Sequence, residues 1–164
     1  MNKGMISPFR FAIVCICLLF SVFILSYMAI SALAADVYHT DSAEYNFTIG
    51  GKNYTNYADL TMTEDGFSYP GVWIHSRNAM MPAGYLGAKA RLYKETSPGA
   101  GTYYLISAGA WSYTQSACTG YHDLAEREDN LPAGYYMSCG ESAVYYNGEY
   151  IRYWTYPTPF IQIR

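Results

Sequence analysis

The chain has 164 residues, of which 51% are hydrophobic and only 14% are charged. A chain of this composition buries enough apolar surface to offset the entropy of ordering its backbone, so an intrinsically disordered protein is excluded. With 10 Lys and Arg against 13 Asp and Glu the net charge is −3. A nucleic-acid partner is therefore not expected, because neutralising phosphates requires a basic face. The length suits one domain.

The N-terminal segment has the features of a secretory signal peptide. Lys3 and Arg10 precede an uncharged apolar run over residues 11–30, and Ala32-Leu33-Ala34 follows with small residues at its first and third positions. This order of basic, apolar and small-residue regions predicts a signal peptide over residues 1–34, cleaved after its last residue.

Cleavage at that point leaves a secreted domain over residues 35–164. Because the removed segment contains two basic residues and no acidic ones, the net charge changes from −3 to −5. The alternative is that residues 11–30 remain as an uncleaved membrane anchor, since twenty apolar residues can span a bilayer.

Two cysteines, Cys118 and Cys139, remain in the predicted secreted domain. Thiols in an exported chain usually pair, because the compartment lacks the reductants of the cytosol. We therefore expect a disulfide between them, which in the chain-entropy model would stabilise the fold by about 3 kcal/mol. The alternative is two reduced, buried thiols.

The first predicted element of the secreted domain is a β-hairpin. Apolar and polar residues alternate over residues 45–49, which is typical of a strand with one buried face. Gly50-Gly51 follows as a two-residue turn, and this loop length places Phe47 opposite Tyr54 on the returning strand.

Similar alternation predicts further strands in the middle of the chain. It is clearest over residues 86–94, where a pleated strand collects the apolar side chains on one face and a helix does not. The charged segment over residues 121–130 departs from this pattern and is expected to form a short helical turn or an exposed loop. The other predicted strands lie near residues 60–63, 72–74, 103–108 and 111–117.

The strongest local pattern is a second hairpin near the C-terminus. Asn147-Gly148 supplies the positive φ of a type I′ turn, and β-branched or aromatic residues flank it. The two-residue register places Tyr145 opposite Tyr150 and Ala143 opposite Arg152. One face of this hairpin is therefore predicted to carry Tyr145, Tyr150, Arg152 and Trp154.

These elements predict the fold class. Pro157 and Pro159 confine the last residues to an edge strand or a loop. About eight to ten short strands without a long amphipathic helix indicate an all-β domain, built as a single antiparallel β-sandwich or barrel.

Motifs of enzymes and metal sites are missing from the sequence. It contains no Gly-x-Ser-x-Gly elbow, no His-Glu-x-x-His and no phosphate-binding glycine loop. The histidines lie far apart, and none has a second histidine two or four residues away to share a metal ion, so we take them as ordinary surface or half-buried residues; they are His39, His75 and His122. We predict no catalytic residue, metal or cofactor.

Catalysis by residues distant in sequence is the remaining enzymatic alternative. A hydrolase needs two carboxylates at a defined separation, or a histidine such as His122 beside a nucleophile, in one cleft. The carboxylates on or near predicted strands are Glu64, Glu141 and Glu149. Their separation does not follow from the sequence, and we expect the chain not to be an enzyme.

Tyrosine is the anomaly of the composition, with 19 residues in the chain. Tyrosine combines a flat apolar face with a hydroxyl, which suits contacts with sugars and proteins, although it also has a high β propensity. So many rings in a small domain predict an exposed aromatic patch. The predicted contact surface consists of the hairpin residues Tyr145, Tyr150, Arg152 and Trp154, with Trp73 as a neighbour.

Two stretches carry a resemblance to known proteins. They are residues 138–154, with Gly140, Tyr145-Tyr146-Asn147-Gly148 and Tyr150, and residues 81–93, Met-Pro-Ala-Gly-Tyr-Leu-Gly-Ala-Lys-Ala-Arg-Leu-Tyr. In these stretches the chain resembles uncharacterised small secreted β proteins of Gram-positive bacteria. Its composition is also similar to that of lactococcin-like bacteriocins that fold as β-sandwiches. The resemblance implies an exported β protein and carries over no functional residue.

The sequence thus predicts a secreted, non-catalytic binding or interaction module that acts at the cell envelope or outside the cell. Its expected partner is a cell-wall glycan or an extracellular protein, contacted through the aromatic surface. The alternative is a secreted antibacterial or membrane-active β protein whose aromatic residues meet lipid headgroups. A net charge of −5 disfavours that alternative, because anionic bacterial surfaces attract basic proteins.

Overall fold

The computed structural model describes residues 36–125 and 127–164, so the predicted signal peptide lies outside the described residues. This part of the chain contains β-strands and no helix, and hence no helix that is long and apolar enough to cross a membrane. The strands are β1 (Val37–Asp41), β2 (Tyr45–Ile49), β3 (Lys52–Thr63), β4 (Ser68–Ser76), β5 (Leu86–Glu95), β6 (Tyr103–Ala108), β7 (Ser112–Tyr113), β8 (Gly120–Leu124), β9 (Gly134–Tyr146), β10 (Glu149–Trp154) and β11 (Ile161–Ile163).

The strands form two antiparallel sheets. The first sheet has the order β1-β3-β4-β8, with β2 also paired to β3. The second has the order β10-β9-β5-β6, with β11 paired to β9 and β7 paired to β5. The sheets pack as a sandwich, which is one of the two all-β arrangements that the sequence predicts.

Alternation along the long strands separates an inner face from an outer face. On β5 the predicted apolar set is fully buried: Leu86, Ala88, Ala90 and Leu92. On β3 and β9 the even-numbered residues face inward in the same way. Aromatic residues at odd-numbered positions of the long strands therefore lie on the outer faces of the sheets.

Both predicted hairpins have the expected register. Phe47 pairs with Tyr54 across the turn at Gly50-Gly51, and Tyr145 pairs with Tyr150 across the turn at Asn147-Gly148. All four turn residues have positive φ, as a type I′ turn requires.

The prediction of a helical turn or loop over residues 121–130 is wrong for the first part of that segment. Residues 120–124 form β8, which pairs with β4. The alternation was hidden because Asp123 occupies an inward-facing position. Its carboxylate lies between the sheets, where it accepts hydrogen bonds from the Ala90 N–H (3.3 Å) and the Ser112 hydroxyl.

In each sheet, two short strands lie end to end and pair with the same edge of one long strand. β3 carries β1 and β2, and β9 carries β10 and β11. Hydroxyl groups in the connections continue the hydrogen-bond ladder between the short strands. Ser42 Oγ accepts from Ala58 N (2.9 Å), and the threonines Thr155 and Thr158 accept in the same way from Gly140 N and Ser138 N (both 3.0 Å).

The interior consists of two apolar clusters at the ends of the sandwich and a middle layer of smaller residues. In this layer a Cβ at Gly140 would overlap the Lys89 carbonyl and the Val72 side chain, so the backbones approach closely. The buried Asn56 side chain donates to Ser142 Oγ (2.6 Å) across the two sheets.

The predicted disulfide is not formed, and Cys118 and Cys139 are free thiols. Cys139 lies at an odd-numbered position of β9, on the outer face of the second sheet, where its Sγ is 3.6 Å from the Thr155 carbonyl oxygen. Cys118 precedes β8 and packs against the inner cluster beside Met81. Opposite sides of a sheet thus separate the two sulfurs. Burial raises the pKa of the Cys139 thiol.

Candidate functional site

The outer face of the second sheet brings the predicted hairpin residues together. Tyr150, Arg152 and Trp154 follow one another on the outward side of β10, and Tyr145 lies opposite Tyr150 on β9. Trp73, which the sequence analysis places beside them, lies instead on the outward side of β4 in the first sheet. The structure therefore assigns Trp73 to a different surface, because its strand pairs with β3 and β8 rather than with the hairpin.

Additional rings extend the hairpin surface toward β5 and β7. We name the whole set the second-sheet aromatic surface; it consists of Tyr85, Trp111, Tyr113, Tyr145, Tyr150, Arg152 and Trp154. The ring centroids of Tyr113 and Tyr150 are 4.6 Å apart, and those of Tyr145 and Tyr150 are 5.1 Å apart. The guanidinium of Arg152 lies 4.7 Å from the centroid of the Trp111 ring.

Close contacts hold these rings in place. A Cβ at Gly87 would overlap the Tyr113 ring, so the absence of a side chain at that position lets the ring lie against the sheet. The Tyr150 hydroxyl donates to the Gly84 carbonyl at 2.8 Å. The sequence gives no indication of these contacts, since the first depends on the pairing of β5 with β7 and the second on the segment before β5 lying beside β10.

Trp154 stands at one end of the second-sheet aromatic surface and is 53% exposed. The Arg91 guanidinium lies 4.3 Å from the centroid of its ring, and Arg91 forms an ion pair with Glu141. Arg91 and Glu141 are mostly buried, which fixes the guanidinium under the indole. The indole is thus supported from one side and open to solvent.

The outer face of the first sheet carries a groove that crosses the strands. In the register of the sheet, Asp41, Asp59, Gly71 and Leu124 form one cross-strand row. Because Gly71 has no side chain, the surface is recessed along this row, whereas larger side chains project from the two neighbouring rows. We name it the Gly71 groove, with a volume of about 470 Å³, lined by His39, Asp41, Tyr57, Asp59, Thr61, Tyr69, Trp73, His122 and Leu124.

One wall of the Gly71 groove is a row of stacked rings. Tyr57, Trp73 and His122 are cross-strand neighbours on β3, β4 and β8. The Trp73 and His122 ring centroids are 3.9 Å apart with an angle of 9° between the planes, and Tyr57 and Trp73 are 6.0 Å apart with an angle of 15°. The stack holds the His122 ring in a defined orientation at the edge of the groove.

Two histidine–aspartate pairs lie in the same groove. His122 Nε2 is 3.0 Å from Asp59 Oδ1, and His39 Nε2 is 3.3 Å from Asp41 Oδ1. A Cβ at Gly71 would overlap both Asp59 Oδ1 and His122 Nε2, so this glycine is what allows the first pair to form. The sequence predicts both histidines as ordinary polar residues. Asp59, the partner of His122, is 63 positions away, and the short spacing of His39 and Asp41 does not show that β1 brings them to the same groove.

The two surfaces can be compared with the arrangements that metal sites and hydrolases use. No group of three or more His, Cys, Asp or Glu residues in the described ranges is arranged to hold a metal ion. Among the described residues that line the Gly71 groove, the hydroxyl beside a histidine is that of Thr61, which is 2.8 Å from His39 Nδ1, while His39 Nε2 faces Asp41. Of the three carboxylates considered above, Glu141 is bound to Arg91 on the second sheet.

No protein-family model matches the chain, and no curated protein or solved structure matches it either. The resemblance to secreted proteins of Gram-positive bacteria therefore stays a prediction. What each face can bind follows from its own chemistry, since a β-sandwich supports many unrelated functions.

Proposed function

We propose that the chain is a secreted, non-catalytic binding module and that its second-sheet aromatic surface binds glycans. The features of residues 1–34 support export, as argued from the sequence. The aromatic surface supports the choice of ligand, because flat rings with polar edges suit the apolar faces and hydroxyl groups of sugars.

The observation that carries the proposal is the support of Trp154 by Arg91. A large exposed ring normally loses side-chain entropy when it binds a ligand. The Arg91 guanidinium and its ion pair with Glu141 hold this indole in place before any ligand arrives. Such preorganisation favours stacking of a sugar ring on the open side of the indole.

The spacing along β10 adds to this argument. Tyr150 and Trp154 are four residues apart on the same side of one strand, a distance of about 13 Å at the rise of an antiparallel strand. The exposed Arg152 lies between them and offers N–H donors to a hydroxyl or carboxylate. The surface thus spans more than one sugar ring and matches an oligosaccharide.

The test is retention of the purified protein on cell-wall polysaccharide and on a glycan array. Trp154→Ala and Tyr150→Ala should each weaken binding by about tenfold or more, because exposed aromatic anchors dominate the affinity of such surfaces. Circular dichroism should be unchanged, since both rings lie outside the core.

Tyr146→Ala is the matched control. Tyr146 belongs to the same hairpin and is 40% exposed, close to the 37% of Tyr150, but it occupies the opposite side of the sheet. This variant should bind like the unmodified protein. Equal retention of all three variants would overturn the proposal, and so would leakage of anionic vesicles that depends on Trp154, because that result would indicate a membrane-active protein.

A further inference from the structure

The Gly71 groove lies on the other side of the sandwich and contains two neighbouring carboxylates that have no part in the proposed glycan binding. Asp41 and Asp59 are directly opposite each other across the β1–β3 ladder. Like charges in this position repel each other and destabilise a strand pair. Each carboxylate has a histidine partner, and among the described residues that line the groove there is no lysine or arginine.

The carboxylate of Asp59 has an unused hydrogen-bond acceptor in the groove. Its side chain is 6% exposed, and His122 contacts only Oδ1. None of the hydrogen bonds within the described ranges reaches Oδ2. Oδ2 is not one of the enclosed polar atoms that lack a hydrogen bond, so it is open to the groove and can accept a hydrogen bond from a group that enters there.

The pKa of the Tyr57 phenol reflects the same negative potential. Burial raises the pKa of Tyr57, and the carboxylates of Asp41, Asp59 and Glu44 raise it further. Two arginines on this side of the molecule are already bound to carboxylates: Arg127, 6.0 Å from the Tyr69 ring, is bound to Asp129, and Arg77, which donates to Thr55, is bound to Glu44.

We propose that the Gly71 groove binds the guanidinium group of an arginine side chain presented by a protein or peptide partner. A guanidinium is always positively charged and donates in a planar fork that matches carboxylates. The aromatic rings that line the groove limit the access of water, which strengthens the attraction between such a cation and the carboxylates. The volume of about 470 Å³ is within the range of pockets for small ligands.

The chain itself uses this combination of ring and carboxylate for its own arginines. Arg91 lies over Trp154 and is bound to Glu141, while Arg127 lies 3.7 Å from the Phe67 ring centroid and is bound to Asp129. In the Gly71 groove rings and carboxylates also occur together, since the Asp59 carboxylate is 3.0 Å from His122 Nε2 and the His122 ring is stacked on Trp73.

The experiment titrates the full-length protein with N-acetyl-L-arginine N-methylamide and follows the indole N–H signals of the tryptophans by NMR. The neutral control is the citrulline analogue, which has almost the same shape and lacks the charge. We expect a saturable shift of the Trp73 signal with the arginine probe, and binding of the citrulline analogue weaker by about tenfold, as expected for loss of charge-assisted hydrogen bonds.

Two variants locate the site. Asp41→Asn removes an exposed carboxylate of the groove and should weaken binding by about three- to fivefold, as for an exposed ion pair. Leu124→Lys places an internal cation at the end of the groove and should compete with the probe. The control is Glu149→Gln, which makes the same change in net charge as Asp41→Asn but lies on the second sheet, and it should leave the affinity unchanged.

Equal binding of the arginine and citrulline probes would overturn the proposal, as would equal effects of Asp41→Asn and Glu149→Gln. A shift confined to Trp111 and Trp154 would also overturn it, because those residues belong to the second sheet. The result is independent of the glycan proposal, since Trp154→Ala removes the glycan anchor and should leave arginine binding intact.

Discussion

Tyr136 shows how much one buried residue contributes to the behaviour of the whole chain in alkali. It is fully buried on the inner face of β9, and its hydroxyl donates to the Pro132 carbonyl at 2.5 Å. Burial, with a smaller contribution from Tyr104, raises the pKa of Tyr136 to about 12. Its phenol therefore stays protonated in the folded state at pH values where it ionises in the unfolded chain.

This difference predicts a loss of stability in alkali. The raised pKa leaves the free energy of unfolding unaffected below pH 10, where both states are protonated, and lowers it as the pH rises from 10 toward 12. From Tyr136 alone the loss is about 1.4 kcal/mol between pH 8 and pH 11. In urea titrations at the two pH values, the free energy of unfolding of Tyr136→Phe should fall less than that of the unmodified protein, by that amount.

The control for this measurement is Tyr38→Phe at an exposed position. It should keep the pH dependence of the unmodified protein. If Tyr136→Phe also kept that dependence, burial of the phenol would not be responsible for the alkaline loss.

At the scale of elements, the side chains that join β10 to β11 have a structural role of their own. Thr155 and Thr158 lie between two short strands on the edge of β9, and their hydroxyls accept hydrogen bonds from two N–H groups of that strand. Both threonines are buried, so no water replaces these acceptors when they are removed.

Thr155→Val should destabilise the domain by about 1 to 3 kcal/mol. Valine has the same shape as threonine and leaves the Gly140 N–H buried without an acceptor. Chemical denaturation measures the change. Thr48→Val, at an exposed position of β2, should change the stability by less than about 0.5 kcal/mol. Similar losses in the two variants would show that the Thr155 hydroxyl is not needed for the ladder.

Elements that depend on local patterns were predictable from the sequence. Gly50-Gly51 and Asn147-Gly148 fix both hairpins and their register, because a two-residue loop allows one pairing of the flanking strands. β8 was missed because Asp123 faces inward and satisfies its carboxylate between the sheets, a contact that requires knowing which strands are neighbours.

The two candidate sites also differ in how far the sequence predicts them. The hairpin face was predictable, whereas the Gly71 groove was not, since it needs β1, β3, β4 and β8 in register before two distant aspartates and two histidines meet. The position of Trp73 and the missing Cys118–Cys139 bond have the same origin: sequence spacing does not tell which side of which sheet a residue occupies.

At the scale of the molecule, the sandwich is held by packing without a covalent cross-link between its sheets. Its two thiols in the described part of the chain are free and lie on different sides of the second sheet. The fold therefore depends on the apolar clusters and the continuous ladders rather than on the redox state.

The melting temperature should accordingly be the same with and without a thiol reductant. A disulfide worth about 3 kcal/mol would change it by roughly 10 °C in a domain of this size. Calorimetry in the two buffers makes the comparison, and Cys139→Ala should shift the transition equally in both. A drop of several degrees on reduction would contradict the separation of the two sulfurs.

The two outer faces point in opposite directions, because the sheets that carry them share one interior. A ligand on the second-sheet aromatic surface leaves the Gly71 groove uncovered, and the chemistry of the two faces differs, one with supported indole and guanidinium groups and the other with paired carboxylates. Under the two proposals above, unlike partners would occupy opposite sides of the molecule, and the chain would join one to the other across the thickness of a single sandwich.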